Sequence, residues 1–406
     1  MELSHHRLKK VRPEMAAPLW RADRLTVLTS VRNGQQVTAL QWTWSNPAFN
    51  PNRRHAKSAY ASNRPSAWHG CSSTIAILQA SACCHPSQPA NHMSKQWSLD
   101  DIPPQNGRRV IITGANSGIG YHTAAILARQ GAEVVLACRN KRRGTDAIAR
   151  LQRELPGARL QLEQLDLSSL ASVRAFTERQ LALGRPLDIL INNAGIMAPP
   201  RRVETTDGFE LQFGTNVLGH FALTALLLPA LEAAADNSPE RPRVVTIASI
   251  AHKTGRLNFE DLQAVRHYGP MSSYRQSKLA NLMFSFELNR YLRVAQSRVM
   301  SVAAHPGVAN TNLFRGGRSA AARAARSVLS SLIGALFNSD LTGALPTLYA
   351  ATAPDVVDGG YYGPLGLFET RGERVGPAKV ASLARNEADA RRLWQACEVL
   401  TGTAFG

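Results

Sequence analysis

The chain has 406 residues, 47 Lys plus Arg against 29 Asp plus Glu, a formal net charge of +18 and 44% hydrophobic residues. That length and apolar share suffice for one large core or two modest ones, which excludes a disordered or fibrous protein. Five cysteines with no C-x-x-C pair exclude a disulfide-stapled secreted domain and a zinc ribbon, and a reducing compartment, the cytoplasm, is expected.

The longest apolar runs, Phe221 to Leu231 and Ser327 to Phe337, fall short of the roughly 18–20 residues of a membrane span. The chain therefore reads as soluble, with no transmembrane segment. Its charge divides at Met93. Residues 1–92 hold 11 Lys plus Arg against only Glu2, Glu14 and Asp23, a net +8, which leaves +10 for the other 314 residues. The leading segment shows no period of 3.6 or 2 that would bury a face. It reads best as a basic, non-folding extension with the functional start at Met93. A regulatory or nucleic-acid-binding tail and an organelle-targeting segment are the competing readings, and the opening MELSHHRLKK, with its acid and no apolar stretch, opposes the last. His69, Cys71, Cys83, Cys84 and His85 match no metal-ligand spacing, so no metal is expected.

From Arg108 onward, short apolar runs alternate with Ala-rich helical stretches, the texture of repeated βα units. The run Arg108 to Thr113 feeds into a glycine loop, Gly114-Ala-Asn116-Ser117-Gly118-Ile119-Gly120, followed by a helix to about Gln130 and a second strand, Glu133 to Ala137. Strand, glycine loop, helix, strand is the unit that seats a dinucleotide pyrophosphate on a helix N-terminus. An NAD site ends its second strand with an acid, whereas a 2′-phosphate requires a cation there. Cys138 stands at the acid's position and Arg139 follows it, then Asn140, Lys141, Arg142 and Arg143. The charge favours NADP over NAD, with Arg139 as the phosphate and adenine contact and Lys141 and Arg143 as solvated helix residues. Asp166 and Leu167 close the next strand, Arg159 to Leu165, and Asn193, Ala194 and Gly195 close the fourth, Leu187 to Ile191; ligands bind at such carboxyl ends.

Tyr274 and Lys278 stand four residues apart at the opening of a helix whose apolar positions are Leu279, Leu282, Met283 and Phe286. They share one helix face, and an ammonium beside a phenol favours the phenolate needed for proton transfer. TGANSGIG at 113–120, NNAG at 192–195, Asn216 in GTNVLGHF, Ser249 after VVTIA, YRQSK at 274–278 and HPGVANT at 305–311 occur in that order. On these motifs the chain from Met93 to Gly406 resembles the short-chain dehydrogenase/reductase family. The interval from Ser249 to Tyr274 is similar to that of the retinol-dehydrogenase-like and WW-domain-containing branch.

The resemblance implies an α/β fold: one Rossmann-type, doubly wound parallel sheet of about seven strands, helices on both faces, and a lid over about 313–340. It implies that Tyr274 is the acid/base, that Lys278 lowers its pKa and holds the nicotinamide ribose, and that Ser249 hydrogen-bonds the substrate oxygen. Asn216 would hold a water linking Lys278 to solvent, and Pro306, Gly307 and Thr311 would meet the carboxamide. Hydride would pass between NADP(H) and an alcohol or carbonyl compound, lipophilic if the apolar lid contacts it. Family members are usually homodimers or homotetramers. His252, three residues past Ser249, reads as a loop residue, and a last amphipathic helix is expected over about Pro377 to Leu400. A catalytically silent dinucleotide-binding regulator is the alternative, opposed by the intact set Asn216, Ser249, Tyr274 and Lys278. Nothing in the motifs supports a nucleic-acid partner.

Overall fold

The computed structural model describes residues 21–32, 35–45, 96–308 and 338–405. The chain divides into two units, Met1–Pro89 and Ala90–Gly406. In the first, strands β1 (Arg21–Arg32) and β2 (Gln35–Ser45) pair antiparallel, with Leu28 opposite Ala39 and a register shift between Ala22 and Arg24. The sequence reading placed no regular element before Met93. The signal it passed over is Asn33-Gly34 between two runs rich in β-branched residues, the strongest short-range hairpin cue.

In the second unit, β3 (Arg109–Thr113), β4 (Glu133–Cys138), β5 (Leu160–Gln164), β6 (Ile189–Asn192), β7 (Arg243–Ile247), β8 (Met300–Ala304), β9 (Tyr361–Pro364) and β10 (Val375–Pro377) form one eight-stranded sheet. Its order is β10-β9-β8-β7-β6-β3-β4-β5, with every pairing parallel except β9 with β10. The winding reverses between β3 and β6, and such a switch point opens a crevice at the strands' carboxyl ends. The expected seven parallel strands are present, and β10 adds an antiparallel edge.

Val110, Ile111, Ile112, Val134, Val135, Leu136, Leu190 and Ile191 are all fully buried, because helices cover both faces of a parallel sheet. Each such side chain contributes roughly 1.5–3 kcal/mol of burial. Helices α1 (Gly118–Arg129), α2 (Lys141–Glu154) and α6 (Asp340–Thr352) pack on one face. On the other lie α3 (Leu170–Ala182), α4 (Leu211–Asn237), α5 (Pro270–Val294) and α7 (Glu387–Thr401). Helix α4 is long and apolar enough to cross a membrane, but 78% of its apolar window is buried inside the protein, as in a core helix.

Two boundaries differ from expectation. Helix α5 opens at Pro270, where proline's fixed φ suits a first helical position, so Tyr274 lies a turn inside it. The final helix begins at Glu387, not Pro377. Pro377 ends β10, and the Asn386 side chain accepts from the N–H groups of Ala388 and Asp389, which fixes the start.

Candidate active site

A cleft of about 510 Å³ opens over the switch point. Its walls include Gly114, Asn116, Ser117, Gly118, Ile119 and Gly120 from the loop after β3, Arg139 after β4, and Asp166 and Leu167 after β5. Asn193, Ala194 and Gly195 after β6, Ser249 after β7, Tyr274 and Lys278 from α5, and Pro306 and Gly307 after β8 complete it. Asn216 lies behind the wall, fully buried. Thr311 and most of the expected lid, with its arginines at 315, 318, 323 and 326, lie outside the described residues.

Glycines let the loop after β3 pack closely on the loop after β6. Gly114 has φ +68, and a Cβ there would lie 3.0 Å from the Ala194 Cβ. At Gly120 a Cβ would fall 2.5 Å from Asn193 Nδ2 and 2.8 Å from the Gly114 carbonyl oxygen, so backbone itself fills the space. Gly120→Ala is therefore expected to push the loop open and weaken dinucleotide binding at least tenfold, measured by fluorescence titration with NADPH. Thr113 locks the neighbouring loop: its Oγ1 accepts from the N–H groups of Asn193 and Ala194, each at 2.9 Å. The Thr113 hydroxyl proton then faces Nε2 of buried His220 at 2.9 Å, and Nδ1–H of the same ring donates to the Asn216 carbonyl at 3.0 Å. Burial pushes the His220 pKa down to about 4, so the ring is a neutral strut.

Asn216 sits in a π turn, Gly214–Leu218, within α4. Such bulges often mark functional sites. Its Oδ1 accepts from Ile196 N–H at 2.8 Å, while its Nδ2 donates to the Ile196 carbonyl and to Ser277 Oγ, both at 3.0 Å. Its carbonyl takes the His220 proton and, with the Asn281 amide oriented to suit its neighbours, an N–H of Asn281 at 2.8 Å. These bonds pin the 195–197 segment against α5.

Tyr274 is 7% exposed and hydrogen-bonds Ser249, whose Oγ also accepts from Ala251 N–H at 3.1 Å. Lys278, buried, donates from Nζ to the Ile247 carbonyl at 2.8 Å and lies 5.9 Å from the Tyr274 ring centroid. The expected lowering of the Tyr274 pKa by Lys278 is corrected. Burial pushes the phenol up, and the opposing influence is the Ser249 hydrogen bond. Lys278 is itself desolvated, its pKa held down to about 8, and its Nζ is turned to the Ile247 carbonyl and not to the phenol.

This burial has a linkage consequence. The unfolded chain keeps the lysine proton up to about 10.5 and the folded chain releases it near 8, so the unfolded state binds more protons between those values and stability rises with pH across them. Lys278→Met should therefore raise the melting temperature at pH 7, with an upper bound on the order of 3 kcal/mol at 1.36 kcal/mol per pKa unit. The gain should shrink by pH 10. Calorimetry at both pH values checks this.

After β5, Asp166 Oδ1 accepts from the N–H and hydroxyl of Ser168 at 2.9 and 2.6 Å, which orients the carboxylate. Cys138 is not at the cofactor-facing position. The strand pleat turns it into the core, 1% exposed, where burial raises its thiol pKa to about 11. Arg139 takes the cleft position. Arg143, read from sequence as solvated, also lines the cleft, whereas Lys141 and Arg142 do not. The spacing of four from Arg139 was the available signal. His252 is buried with both ring nitrogens bonded, in keeping with a loop role.

The described cleft thus joins an anion cradle to a Tyr–Ser hydroxyl pair above a buried lysine. A short chain dehydrogenase family profile matches residues 108–321. Mouse polyprenol dehydrogenase is 42% identical over 343 residues, covering 82% of this chain and 98% of that protein. Mouse retinol dehydrogenase 12 is 41% identical over 297 residues, covering 72% and 86%. A crystal structure of an uncharacterised Mycobacterium paratuberculosis protein aligns with TM-score 0.61 at 40% identity, covering 77% of this chain and 99% of the other. Pseudomonas aeruginosa RhlG, solved with NADP in its active site, aligns with TM-score 0.50 at 25% identity, covering 64% and 96%. With matches of this extent, the chain belongs to the short-chain dehydrogenase family, on its retinol-dehydrogenase-like branch, and is an oxidoreductase.

Proposed function

We propose that the protein interconverts a lipophilic alcohol and its carbonyl compound with NADP(H), using Tyr274 as the acid/base. The observation that carries this reading is the Tyr274–Ser249 hydroxyl pair set beside buried Lys278, in a cleft whose far end holds Arg139 and Arg143. Among the described lining residues the one carboxylate is Asp166, its Oδ1 held by Ser168, and the guanidinium groups of Arg139 and Arg143 outnumber it.

The cleft fits the dinucleotide because loop 114–120, packed on Asn193 and Ala194 where Gly114 and Gly120 admit no side chain, lines it together with the N-terminus of α1. The loop 114–120 and the N-terminus of α1 would hold the pyrophosphate, Asp166 and Leu167 the adenine, Lys278 the nicotinamide ribose, and Pro306 and Gly307 the carboxamide. The bound nicotinamide supplies or accepts hydride at the substrate carbon. Ser249 Oγ steadies the substrate oxygen through its hydroxyl proton. Tyr274 then gives its phenolic proton to that oxygen in reduction and takes it back in oxidation. Lys278, moved from the Ile247 carbonyl toward the ribose, would place its positive charge nearer the phenolate that remains.

Ile196, Met197, Ile250 and Val308 also line the cleft, an apolar set suited to a substrate whose transfer from water is favourable. The polyprenol and retinol dehydrogenases among the relatives are named for such alcohols. NADPH-coupled assays over alcohols and carbonyl compounds graded by chain length test the reading. A kcat/KM that climbs with apolar chain length supports it. NADPH binding without turnover of any member would favour the silent regulator instead.

A further inference from the structure

Ser249 and the Pro306–Gly307 turn follow neighbouring strands, but the sheet ladder fixes those strands only as far as Ile247 and Ala304, with one more bond from Ala248 N–H to the Ala304 carbonyl at 2.9 Å. Beyond that point Tyr361 packs between His252 and His305, its hydroxyl 3.4 Å from His252 Nδ1, and a carboxylate supplies a second, charged tie. Ser249 opens the short turn Ile250–Thr254, which carries His252 and Lys253. His252 Nε2 accepts from Ala381 N–H at 3.2 Å, so its proton sits on Nδ1, which donates to the Ser249 carbonyl at 2.6 Å. In the other turn, His305 Nδ1 accepts from Gly307 N–H at 3.2 Å. That leaves its Nε2–H, buried and without a hydrogen-bond partner, 3.6 Å from Oε2 of Glu369.

Glu369 faces both turns. Its Oε2 accepts from Lys253 Nζ at 2.7 Å, and its Oε1 accepts from Lys379 N–H at 2.8 Å, two residues before the Ala381 that fixes His252. The adjoining Thr370 carbonyl accepts from Val308 N–H at 2.8 Å. Phe368 and Glu369 both have left-handed backbones, with φ of 51° and 60°. Such conformations persist in non-glycine residues only where the surroundings enforce them. The Phe368 ring does not, since that residue is 81% exposed; the buried contacts are those of the Glu369 carboxylate.

We propose that Glu369 is a positioning residue that ties the Ser249 turn to the Pro306–Gly307 turn, holding the substrate-oxygen donor and the nicotinamide-side turn in one register. This rests on the roles given above to Ser249, Pro306 and Gly307. Amide hydrogen exchange of the full-length protein, alone and with NADPH, is compared with kcat and NADPH Kd for Glu369→Gln, Lys253→Met and the double variant. Glu369→Gln should speed exchange at 249–254 and 305–308 together and lower kcat about tenfold, with NADPH Kd changed less than twofold. The double variant should be little worse than Glu369→Gln, because both substitutions cut one tie. Exchange rising only within 367–379, or kcat losses that multiply, would overturn the proposal. If Glu369→Gln does not fold, half-exposed Lys253→Met decides: it should loosen both turns to a lesser degree, and unchanged exchange at either turn defeats the tie. Exchange is read without turnover, so an inactive parent protein would defeat the oxidoreductase reading while the tie is still measured.

Discussion

Tyr274→Phe is expected to lower kcat about 10³-fold, within the 10²–10⁴ range of a positioned general acid or base, and to leave NADPH Kd within about twofold. The substitution removes one oxygen from a ring that is 7% exposed and keeps its packing in α5. Ser249 Oγ retains the Ala251 N–H as a partner, so no buried group is stranded and the fold should hold. A loss of turnover therefore reports chemistry, not collapse. Steady-state NADPH oxidation with the best carbonyl substrate gives kcat, and fluorescence titration gives Kd. Turnover within tenfold of the parent would mean that another group transfers the proton. The pH dependence carries a sign as well. On the proposed roles, reduction uses the lysine ammonium, whose pKa in the open cleft is held down to about 8, so kcat/KM for NADPH should fall as pH rises through that value.

The parts of the site legible in the sequence are those built from consecutive residues at strand ends. Residues 114–120, 193–195 and 306–308 each bring several lining residues to the cleft from one short stretch. Tyr274 and Lys278 were legible because one helical turn separates them. What escaped was set by long-range packing. His220 meets Thr113 across 107 positions and Lys253 meets Glu369 across 116, and no local spacing signals either pair. The direction of the Tyr274 pKa shift depends on burial and on where the Lys278 ammonium rests, neither of which follows from a spacing of four. Cys138 was placed by counting along a strand, and the pleat sends alternate residues to opposite faces. The +18 charge was also misleading in bulk. It is the surplus left after pairs such as Arg185 with Glu133, joined by two bonds at 2.7 Å, and Arg241 with Asp358, joined by two at 2.9 Å, and part of it is Arg243, which donates to the carbonyls of Ala350 and Ala353. Those cations hold strands and helices together, whereas Arg139 and Arg143 face the cleft.

Arg139→Asp is expected to weaken NADPH binding about 100-fold, or about 2.7 kcal/mol, while NADH binding changes by less than about threefold. Arg139 follows β4 directly, and Arg143 enters the same cleft from the first turn of α2. Asn140 caps that helix, its Oδ1 accepting from Arg143 N–H at 3.0 Å, so the two arginines flank a helix N-terminus whose dipole adds to their attraction for an anion. A 2′-phosphate would be gripped there by charge-assisted bonds, about twice as strong as neutral ones, and a planar guanidinium can take two of its oxygens at once. The aspartate removes that grip and sets a carboxylate against the phosphate. NADH offers only a ribose hydroxyl at this point, to which a carboxylate is a good acceptor, so the variant should lose discrimination chiefly by losing NADPH. Arg143→Ala should cost NADPH less, about five- to tenfold, because Arg139 remains. Salt separates these effects from general loosening: NADPH affinity of the parent should fall with added KCl more steeply than that of Arg139→Asp. Equal losses for both cofactors would move Arg139 to the adenine that they share, and an unchanged preference would place the phosphate contact elsewhere in the cleft.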